Sequence, residues 1–275
     1  MLYDLHSHST YSDGLLSPAA LVARAAIHGV DVLALTDHDE VGGLAEAREA
    51  AAVCGIRLVA GAELSVTWEG HTIHVVGLMV DPACPALADA LRVVRQGRVQ
   101  RARRMAASLA ECGIRGAYEG ALEYVTNEAL ISRTHFARYL VQAGYVSEVK
   151  DAFRRYLTPG NPGYVPHAWP TLTEAVGSIR AAGGQAVLAH PGRYNVSPSG
   201  MRRLLEQFRA AGGEAIEVLT SAHTSAQQVE FSTLARVYGL LASAGSDYHG
   251  PGESAREVGD LPPLPPGCTP VWHHW

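Results

Sequence analysis

Residues 32–39 read VLALTDHD, an apolar run that passes directly into two aspartates with a histidine between them. Short apolar runs bounded by polar residues predict strands. We therefore place a strand over Val32–Thr36, which ends in Asp37, His38 and Asp39. The stretch predicts a sheet strand whose end carries side chains able to do chemistry.

The same pattern recurs along the chain and alternates with helical patterns. Six further strands are predicted, over Tyr3–His6, Arg57–Glu63, Thr72–Leu78, Gln185–Ala189, Ala215–Leu219 and Leu241–Gly245. Helices are predicted over Pro18–His28, Gly43–Cys54, Leu172–Ala182 and Gly200–Ala211. Ser17 before Pro18 is a favourable helix start, because serine caps the first turn and proline fits the first helical position. This alternation predicts an α/β fold with a mainly parallel sheet, which a barrel would accommodate.

One segment interrupts the alternation. Between about Pro85 and Gly160 no strand is predicted. Helical patterns cover instead the arginine-rich Leu87–Cys112 and then Asn127–Ile131, Thr134–Ala143 and Ser147–Tyr156. We therefore expect three parts, with residues 1–84 as the first part of a barrel, residues 85–160 as a helical insertion that caps the substrate, and residues 161–275 as the second part of the barrel.

The composition of the 275-residue chain argues against several classes of protein. It is 47% hydrophobic and 18% charged, which is ordinary for a globular enzyme. No apolar run is long enough to span a bilayer and no signal peptide is recognised, so a cytoplasmic protein without membrane contact is expected. The four cysteines are scattered without a C-x-x-C pair, which argues against a disulfide framework, a zinc knuckle or a dithiol redox site.

Charge is distributed unevenly along the chain. The net charge is −5, yet residues 92–155 hold twelve Lys and Arg against six Asp and Glu, so this segment carries +6 and the remainder −11. Charge alone favours an ordinary solvated helix surface. The alternative is a basic cap that attracts an anionic substrate.

Histidines and carboxylates cluster at the ends of the predicted strands. His6 and His8 are two residues apart on a strand, so both imidazoles point to the same face and can bind one ion. Side chains at the carboxyl ends of barrel strands meet at one rim, where active sites are found. Nine residues become candidate metal ligands in this way: His6, His8, Asp13, His38, Glu63, His74, His190, Asp247 and His249.

The donor types limit the choice of metal. Imidazole with carboxylate and without thiolate suits Zn²⁺, Mn²⁺ or Fe²⁺ rather than Ca²⁺ or a structural zinc. One ion with open positions needs three or four protein ligands, so nine candidates predict two or three ions. Three divalent ions beside the three carboxylates would leave a charge of about +3, which favours a phosphate dianion and a bridging hydroxide. The chemistry expected is metal-assisted hydrolysis of a phosphate ester.

Five motifs taken together resemble the PHP (polymerase and histidinol phosphatase) family. They are His6-x-His8, Thr36-Asp37-His38-Asp39, Gly61-x-Glu63, Ala189-His190-Pro191 and Asp247-x-His249. They occur in the family's order and span nearly the whole chain outside the insertion. The resemblance implies a distorted, TIM-like (β/α)7 barrel with a helical insertion. It also implies a metal centre of two or three ions, for which we expect three, with Mn²⁺ first and Fe²⁺ or Zn²⁺ as alternatives.

The resemblance further implies how the ligands are shared. One ion would be held by His6, His8, Glu63 and Asp247, a second by Glu63, His74 and His190, and a third by Asp13, His38 and His249. The bridging hydroxide that attacks phosphorus would be held by Glu63, with His8, Asp13 and His249 as further candidates.

The insertion and the segment after His190 resemble one bacterial subfamily of PHP proteins. The matching residues are Ser132–Arg138 (SRTHFAR), Ala152-Phe153-x-x-Tyr156-Leu157 with Gly160, Tyr164-Val165-Pro166 and Ala189–Tyr194 (AHPGRY). The subfamily is known as RNase AM or 3′,5′-nucleotide bisphosphate phosphatase. The resemblance implies release of the 3′-phosphate from nucleoside 3′,5′-bisphosphates, which gives nucleoside 5′-monophosphates. It also implies trimming of short 5′-phosphorylated RNA from its 5′ end.

Four residues are then candidates for substrate binding: Arg133, His135, Arg193 and Tyr194. Arginine suits this role because its planar fork pairs with two phosphate oxygens. Arginine makes up 21 of the 22 basic residues, so a solvated surface remains the alternative for Arg133. A satisfied helix histidine is the alternative for His135, and core packing is the alternative for Tyr194.

Other functions stay open at this point. Another PHP activity, such as a histidinol-phosphate phosphatase or a proofreading exonuclease, would use the same ligands. An amidohydrolase-type C–N hydrolase also places metal-binding histidines on a barrel rim. Its carbamylated-lysine form is nearly excluded, since Lys150 is the only lysine and falls in the insertion. A non-catalytic metal-binding module is disfavoured because all nine ligand candidates are present.

Overall fold

Seven strands form a single sheet in which the spatial order follows the chain order. The computed structural model describes the chain from Met1 to Trp275. The strands are β1 (Tyr3–Asp4), β2 (Val32–Leu35), β3 (Arg57–Trp68), β4 (His71–Leu78), β5 (Gln185–Leu188), β6 (Ala215–Leu219) and β7 (Leu241–Ala244). Each overlaps one of the predicted strands, but β1 ends two residues before His6 and β3 continues five residues beyond Glu63, so Glu63 lies within its strand rather than at the end.

Contacts between the first and last strands bring the two edges of the sheet together. The Leu5 N–H donates to the Ala244 carbonyl and the His8 N–H donates to the Tyr248 carbonyl, both at 2.9 Å. Ser7 also forms a parallel bridge with Tyr248. These contacts curve the sheet into a nearly closed barrel, so the predicted α/β barrel is confirmed.

The strand β4 runs against its neighbours. β1, β2 and β3 are parallel to one another, as are β5, β6 and β7, whereas β4 is antiparallel to both β3 and β5. A tight turn at Glu69-Gly70, with φ angles of 43° and 79°, reverses the chain between β3 and β4. The rim that holds the carboxyl ends of the other strands therefore holds the first half of β4. His74 reaches this rim for that reason, opposite Ser65 of β3.

Helices surround the barrel and cover one of its ends. In chain order they are α1 (Pro18–Ile27), α2 (Leu44–Cys54), α3 (Pro85–Gln96), α4 (Arg98–Glu111), α5 (Ala117–Leu122), α6 (Arg133–Gln142), α7 (Val149–Ala152), α8 (Leu172–Ala181), α9 (Pro198–Ala210) and α10 (Ser225–Tyr238). The Ser17 hydroxyl caps α1 by accepting from the Ala20 N–H at 3.2 Å. None of the helices combines the length and the apolar character needed to cross a membrane.

The single long helix predicted over Leu87–Cys112 is wrong, because α3 and α4 are separate helices that meet at Gly97. A Cβ at residue 97 would lie 2.1 Å from the ring of His167. Only glycine lets that ring pack against the corner between the two helices, so a distant contact fixes the break.

The helices α4 to α7 have a hydrophobic cluster of their own. Its buried members include Met105, Leu109, Phe136, Leu140 and Leu157. The shorter predicted helices are found as a 3₁₀ turn at Glu128–Leu130, as α6, and as α7 followed by a π-helical turn at Phe153–Leu157. The division into residues 1–84, 85–160 and 161–275 stays a prediction.

The last residues of the chain pack on the opposite end of the barrel. Trp272 stacks on Tyr3 of β1, with ring centroids 4.3 Å apart. Nε1 of Trp275 donates to Oε1 of Gln185 at the start of β5, at 2.7 Å. The C-terminal segment is therefore part of the fold.

Candidate metal centre

The nine residues that the sequence predicts as metal ligands meet at one rim of the barrel. Eight of them form three overlapping groups, in each of which the donor atoms lie within 4.8 Å of one another. The groups are His6, His8, Glu63 and Asp247; His8, Asp13, His38 and His249; and His38, Glu63 and His74. The ninth residue, His190, contacts both Glu63 and His74.

The first group is the most deeply buried. Its four side chains belong to residues that are at most 3% exposed. Nε2 of His6 lies 3.2 Å from Oε2 of Glu63, and Nε2 of His8 lies 3.2 Å from Oδ1 of Asp247. Two imidazole nitrogens and two carboxylate oxygens thus face one another, as the spacing of His6 and His8 predicts.

Glu63 directs its other oxygen toward two more imidazoles. Oε1 of Glu63 lies 2.9 Å from Nδ1 of His74 and 2.9 Å from Nε2 of His190. These two ring nitrogens are 3.3 Å apart. Glu63 therefore lies between two groups of donors and can serve both.

Asp13 and His249 form the third corner of the site. Oδ1 of Asp13 lies 3.3 Å from Nε2 of His249 and 3.8 Å from Nε2 of His38. His38 also turns Nδ1 toward Oε2 of Glu63, at 2.9 Å. The ring of His38 consequently lies between two groups rather than inside one, a position that the sequence did not indicate.

Asp37 holds the loop that carries Asp13. Its carboxylate accepts hydrogen bonds from the Ser9 N–H at 2.7 Å, the Ser9 hydroxyl at 2.6 Å and the Ser12 hydroxyl at 2.6 Å. A Cβ on Gly14 would lie 2.3 Å from the His8 carbonyl oxygen, so only glycine fits where the loop turns back. The short motif around Asp37 thus positions a donor twenty-four residues earlier in the chain.

Two of the predicted metal ligands have a strained backbone conformation. Asp247 has a φ of 54° and His190 a φ of 25°, which non-glycine residues rarely adopt. Each such conformation costs about 1–3 kcal/mol and persists where the surroundings require it. The strain coincides with the strand ends that direct these side chains into the cluster.

The unpaired polar atoms of the cluster test whether it fits metal ions. Several buried atoms that could ligate a metal form no hydrogen bond: His6 Nε2, both ring nitrogens of His8, Asp13 Oδ1, His38 Nδ1, Glu63 Oε2 and His190 Nδ1. Leaving buried polar groups unpaired is costly. Divalent cations that accept imidazole and carboxylate ligands would satisfy these atoms together, so the residues fit a multinuclear metal site.

The pKa shifts differ among the residues of the cluster. Burial works against charge on Glu63, yet His38, His74 and His6 outweigh it and hold the pKa of Glu63 well below its usual range. Burial lowers the pKa of His8 to about 3, helped by His249 and His38. Burial also works against charge on His38, yet Glu63 and Asp13 outweigh it and raise the pKa of His38 to about 9. Metals bind ionised carboxylates and neutral imidazoles, so a cation bound here would displace the proton of His38.

A cationic pocket adjoins the cluster. Its lining residues are Asp13, His38, Ser65, Thr72, His74, Arg98, Arg101, Ser132, Arg133, Thr134, Phe153 and Trp169. Among the three arginines, only Arg98 forms an ion pair, with Asp39. Arg101 donates to the Val165 carbonyl at 2.8 Å. The pocket wall therefore holds three guanidinium groups, of which only Arg98 is paired with a carboxylate, that of Asp39. The remaining positive charge favours the binding of an anion.

Arg98 and Arg101 were not among the predicted substrate residues. Both are less than 10% exposed, and they lie three positions apart on α4, so they occupy the same face of the helix. The excess positive charge of residues 92–155 is the signal that pointed to this surface. Of the two interpretations of this charge, a basic cap near an anion site describes Arg98 and Arg101 better than a solvated helix surface does.

The four predicted substrate residues occupy different settings. Arg133 lines the pocket, and Arg193 places Nη2 2.6 Å from Oδ2 of Asp247 with a side chain that is 45% exposed. His135 is fully buried behind Asp13, and its Nδ1 accepts from the Ser132 N–H at 3.0 Å. His135 therefore has no open path to a substrate.

Tyr194 is also engaged with the protein. Its hydroxyl donates to the Ala189 carbonyl at 2.7 Å and accepts from the His74 N–H at 2.9 Å. Tyr194 thus ties β4 to the end of β5. The packing alternative describes its position better than direct contact with a substrate.

Glu217 is a site residue that sequence reasoning missed. It is 1% exposed, and its carboxylate contacts His6 at 2.7 Å and the His190 N–H at 2.5 Å. The available signal was a charged residue in the middle of the apolar strand Ala215–Leu219, since an acid is rarely buried without a partner.

Comparison with known sequences identifies the family. The PHP domain model matches residues 4–158. A 3′,5′-nucleoside bisphosphate phosphatase of Chromobacterium violaceum is 52% identical over 269 residues, which cover 98% of this chain and 94% of that protein. The 5′-3′ exoribonuclease Rnm of Escherichia coli is 43% identical over 277 residues, which cover 100% of this chain and 94% of that protein.

Solved structures agree with this assignment. A structure from Chromobacterium violaceum, described as an amidohydrolase with bound sulfate and no metal, has a TM-score of 0.96 and 51% identity, covering 99% of this chain and 95% of that chain. A structure described as a metal-dependent phosphoesterase from Bifidobacterium adolescentis has a TM-score of 0.83 and 28% identity, covering 98% and 93%. The chain belongs to the PHP domain family.

Proposed function

We propose that this protein hydrolyses the 3′-phosphate ester of nucleoside 3′,5′-bisphosphates to nucleoside 5′-monophosphates and trims short 5′-phosphorylated RNA from its 5′ end. The relatives named 3′,5′-nucleoside bisphosphate phosphatase and 5′-3′ exoribonuclease support both activities. The two reactions are chemically one, because each breaks a phosphoester bond at a 3′ oxygen beside a 5′-phosphate.

The cationic pocket beside the nine-residue cluster is the observation that carries this proposal. Arg98 and Arg101 are buried there, and neither Arg101 nor Arg133 has a carboxylate partner. Buried charge without a counter-charge is costly, so the pocket favours an anion. A substrate with two phosphates would place one at the cluster and neutralise the arginines with the other.

We infer that the nine residues of the cluster hold three divalent ions, with Mn²⁺ as the first candidate and Fe²⁺ or Zn²⁺ as alternatives. When bound, such ions would lower the pKa of water and stabilise charge on phosphoryl oxygens. Glu63 would connect two of the sites, since its two oxygens face different groups of imidazoles.

The arginines would bind and orient the substrate. Arg101 and Arg133 would hold the 5′-phosphate, because guanidinium pairs with two phosphate oxygens at once. Arg193 would orient the phosphoryl group that is released, because it contacts Asp247 and remains half exposed at the cluster. Trp169 and Phe153 line the same pocket and offer aromatic surface to the base or sugar.

His135 and Tyr194 would act through their neighbours. His135 holds Ser132, whose hydroxyl donates to Oδ2 of Asp13 at 3.1 Å. Tyr194 holds the backbone of His74. Their substitution would therefore disturb the geometry of the cluster rather than remove a contact to the substrate.

The carbamylated-lysine form of an amidohydrolase-type C–N hydrolase is disfavoured by the position of the only lysine. Lys150 is exposed on α7 and does not line the pocket. Histidinol-phosphate phosphatase activity would use the cluster but leave Arg101 and Arg133 without a second phosphate.

A substrate panel tests the proposal. Purified protein reconstituted with Mn²⁺ is assayed with adenosine 3′,5′-bisphosphate, adenosine 3′-monophosphate, histidinol phosphate, and short RNA with a 5′-phosphate or a 5′-hydroxyl. We expect turnover of the bisphosphate and of the 5′-phosphorylated RNA, with much lower kcat/KM for the forms that lack the 5′-phosphate. Turnover of histidinol phosphate alone would contradict the substrate assignment.

A further inference from the structure

Glu217 connects residues of two different donor groups. It lies in the middle of β6 and is buried. Its Oε1 lies 2.7 Å from Nδ1 of His6, and its Oε2 accepts from the His190 N–H at 2.5 Å. Both oxygens thus contact residues that follow β1 and β5, and no arginine or lysine pairs with this carboxylate.

We propose that Glu217 is a positioning residue of the metal centre, which sets the tautomer of His6 and fixes the backbone of His190 so that both rings present Nε2 to Glu63. This inference rests on the proposed metal-dependent function. It adds to that function a residue outside the nine ligand candidates, with a stated task for each of its oxygens.

The first task concerns the proton on His6. Nδ1 of His6 lies 2.7 Å from Oε1 of Glu217, and an accepting carboxylate oxygen at this position favours the tautomer that carries its proton on Nδ1. Nε2 then has a free lone pair, and it lies 3.2 Å from Glu63 and 3.5 Å from Asp247. A histidine whose one nitrogen donates to a carboxylate is oriented to bind a metal through the other nitrogen.

The second task concerns the chain at His190. The backbone there has φ 25° and ψ 57°, a conformation that non-glycine residues rarely adopt. The hydrogen bond from its N–H to Glu217 holds the peptide in this conformation. The ring is thereby directed so that Nε2 lies 2.9 Å from Oε1 of Glu63. One carboxylate consequently orients donors on both sides of Glu63.

The isosteric variant Glu217→Gln separates these tasks from simple packing. An amide has one accepting oxygen and one donating nitrogen. If its oxygen accepts from His190, its NH₂ faces Nδ1 of His6 and forces the proton onto Nε2, where a metal would bind. If the amide is flipped, its NH₂ faces the His190 N–H and that hydrogen bond is lost. Either orientation damages one donor while the volume of the side chain is kept.

Metal content and affinity are the primary measurements. Mn²⁺ is titrated into wild-type protein, Glu217→Gln and Glu217→Asp, and bound metal is counted by elemental analysis. We expect Glu217→Gln to lose about tenfold to a hundredfold in affinity at one or two sites, with Glu217→Asp in between. Glu214→Gln is the matched control, because Glu214 directly precedes the same strand, is only partly buried and contacts Gln185. It should bind metal like the wild type.

A second measurement requires no variant of Glu217. In wild-type protein reconstituted with Zn²⁺, ¹⁵N shifts of the histidine side chains report the tautomer of His6, assigned with a His6→Gln variant. We expect a proton on Nδ1 and none on Nε2. A proton on Nε2, or Glu217→Gln that binds Mn²⁺ as tightly as wild type, would overturn the inference. Wild-type protein that binds metal but hydrolyses no phosphoester would contradict the proposed function and leave these results intact.

Discussion

Arg98 and Asp39 form a buried ion pair that joins the first turn of α4 to the loop after β2. The Asp39 carboxylate also accepts from the Ser65 N–H at 2.9 Å and from the Ser65 hydroxyl at 3.0 Å. The guanidinium carbon of Arg98 lies 5.0 Å from the ring centroid of Trp169. The pair therefore fixes a cationic group at the wall of the pocket and ties the helical segment to the barrel.

Substitution of Asp39 by asparagine should destabilise the protein. The change leaves the Arg98 charge buried without a counter-charge, which costs about 3 kcal/mol or more. Asparagine tolerates the positive φ of 53° at this position, so the backbone itself is not strained by the change. Chemical denaturation should report the loss, and KM for the bisphosphate should rise because Arg98 is released.

The control for this variant is Glu69→Gln. Glu69 pairs with Arg203 at 2.7 Å, but both side chains are about half exposed, so little stability should be lost. Equal effects of the two variants would contradict a special role for the buried pair.

Much of this architecture could be predicted from the sequence, and the exceptions have physical reasons. Most of the ligand candidates were found because they follow apolar strands whose ends converge in a barrel, whereas Glu63 and His74 lie within β3 and β4. The antiparallel direction of β4 was not predicted, because the apolar pattern of a strand is the same in either direction and the Glu69-Gly70 turn that reverses the chain is short. The helix break at Gly97 was missed because it depends on His167, seventy residues away in the chain.

Site residues could not be predicted where their role depends on contacts that are distant in the sequence. Glu217 interrupts an apolar strand, but the sequence does not indicate which residues its carboxylate contacts. The contact with His6 becomes apparent only in the folded structure. Arg98 and Arg101 could not be separated from the other arginines of α4, because composition alone does not say which face meets the barrel. In contrast, Arg133 was singled out only through the family resemblance.

Arg133→Ala should weaken recognition of the 5′-phosphate. Losing one charge-assisted hydrogen-bonding group costs about 1.5–3 kcal/mol, so kcat/KM for adenosine 3′,5′-bisphosphate should fall about tenfold to a hundredfold. The value for adenosine 3′-monophosphate should change little, because it has no phosphate for this pocket. Steady-state kinetics with both substrates provide the comparison.

Arg103→Ala is the matched control for this experiment. Arg103 lies on α4, but its side chain is 67% exposed and does not line the pocket. Arg103→Ala should leave kcat/KM for both nucleotides unchanged. If Arg133→Ala reduced turnover of the two nucleotides equally, the 5′-phosphate would have to bind elsewhere.

Removal of metal should abolish hydrolysis and lower the thermal stability. The cluster contains buried donor atoms without partners, which bound cations would satisfy. A ligand present at one hundred times its Kd stabilises the folded state by about 2.7 kcal/mol per site. Differential scanning fluorimetry of chelator-treated protein should therefore show a Tm that rises with added Mn²⁺, together with the return of activity. Full activity in metal-free protein would contradict a metal-dependent mechanism.

The pair between Arg24 and Glu257 should make stability depend on pH in the acid range. Nε and Nη2 of Arg24 donate to the two carboxylate oxygens at 2.8 and 2.6 Å, and this contact lowers the pKa of Glu257 to about 2. The folded state therefore favours the ionised carboxylate more than the unfolded state does. Its contribution is complete above the ordinary pKa of 4.5 and is lost as the pH falls toward 2.

Glu257→Gln should accordingly lower the Tm by a few degrees at pH 7, and the difference from wild type should shrink as the pH falls below 4.5. Arg24→Gln and the double variant complete a mutant cycle, since the second change should cost little once the first is made. Metal binding should be unchanged, because neither residue belongs to the cluster. A Tm difference that stays constant from pH 7 to pH 3 would mean that Glu257 acts through packing, since an uncharged contact has no reason to fade as carboxylates are protonated.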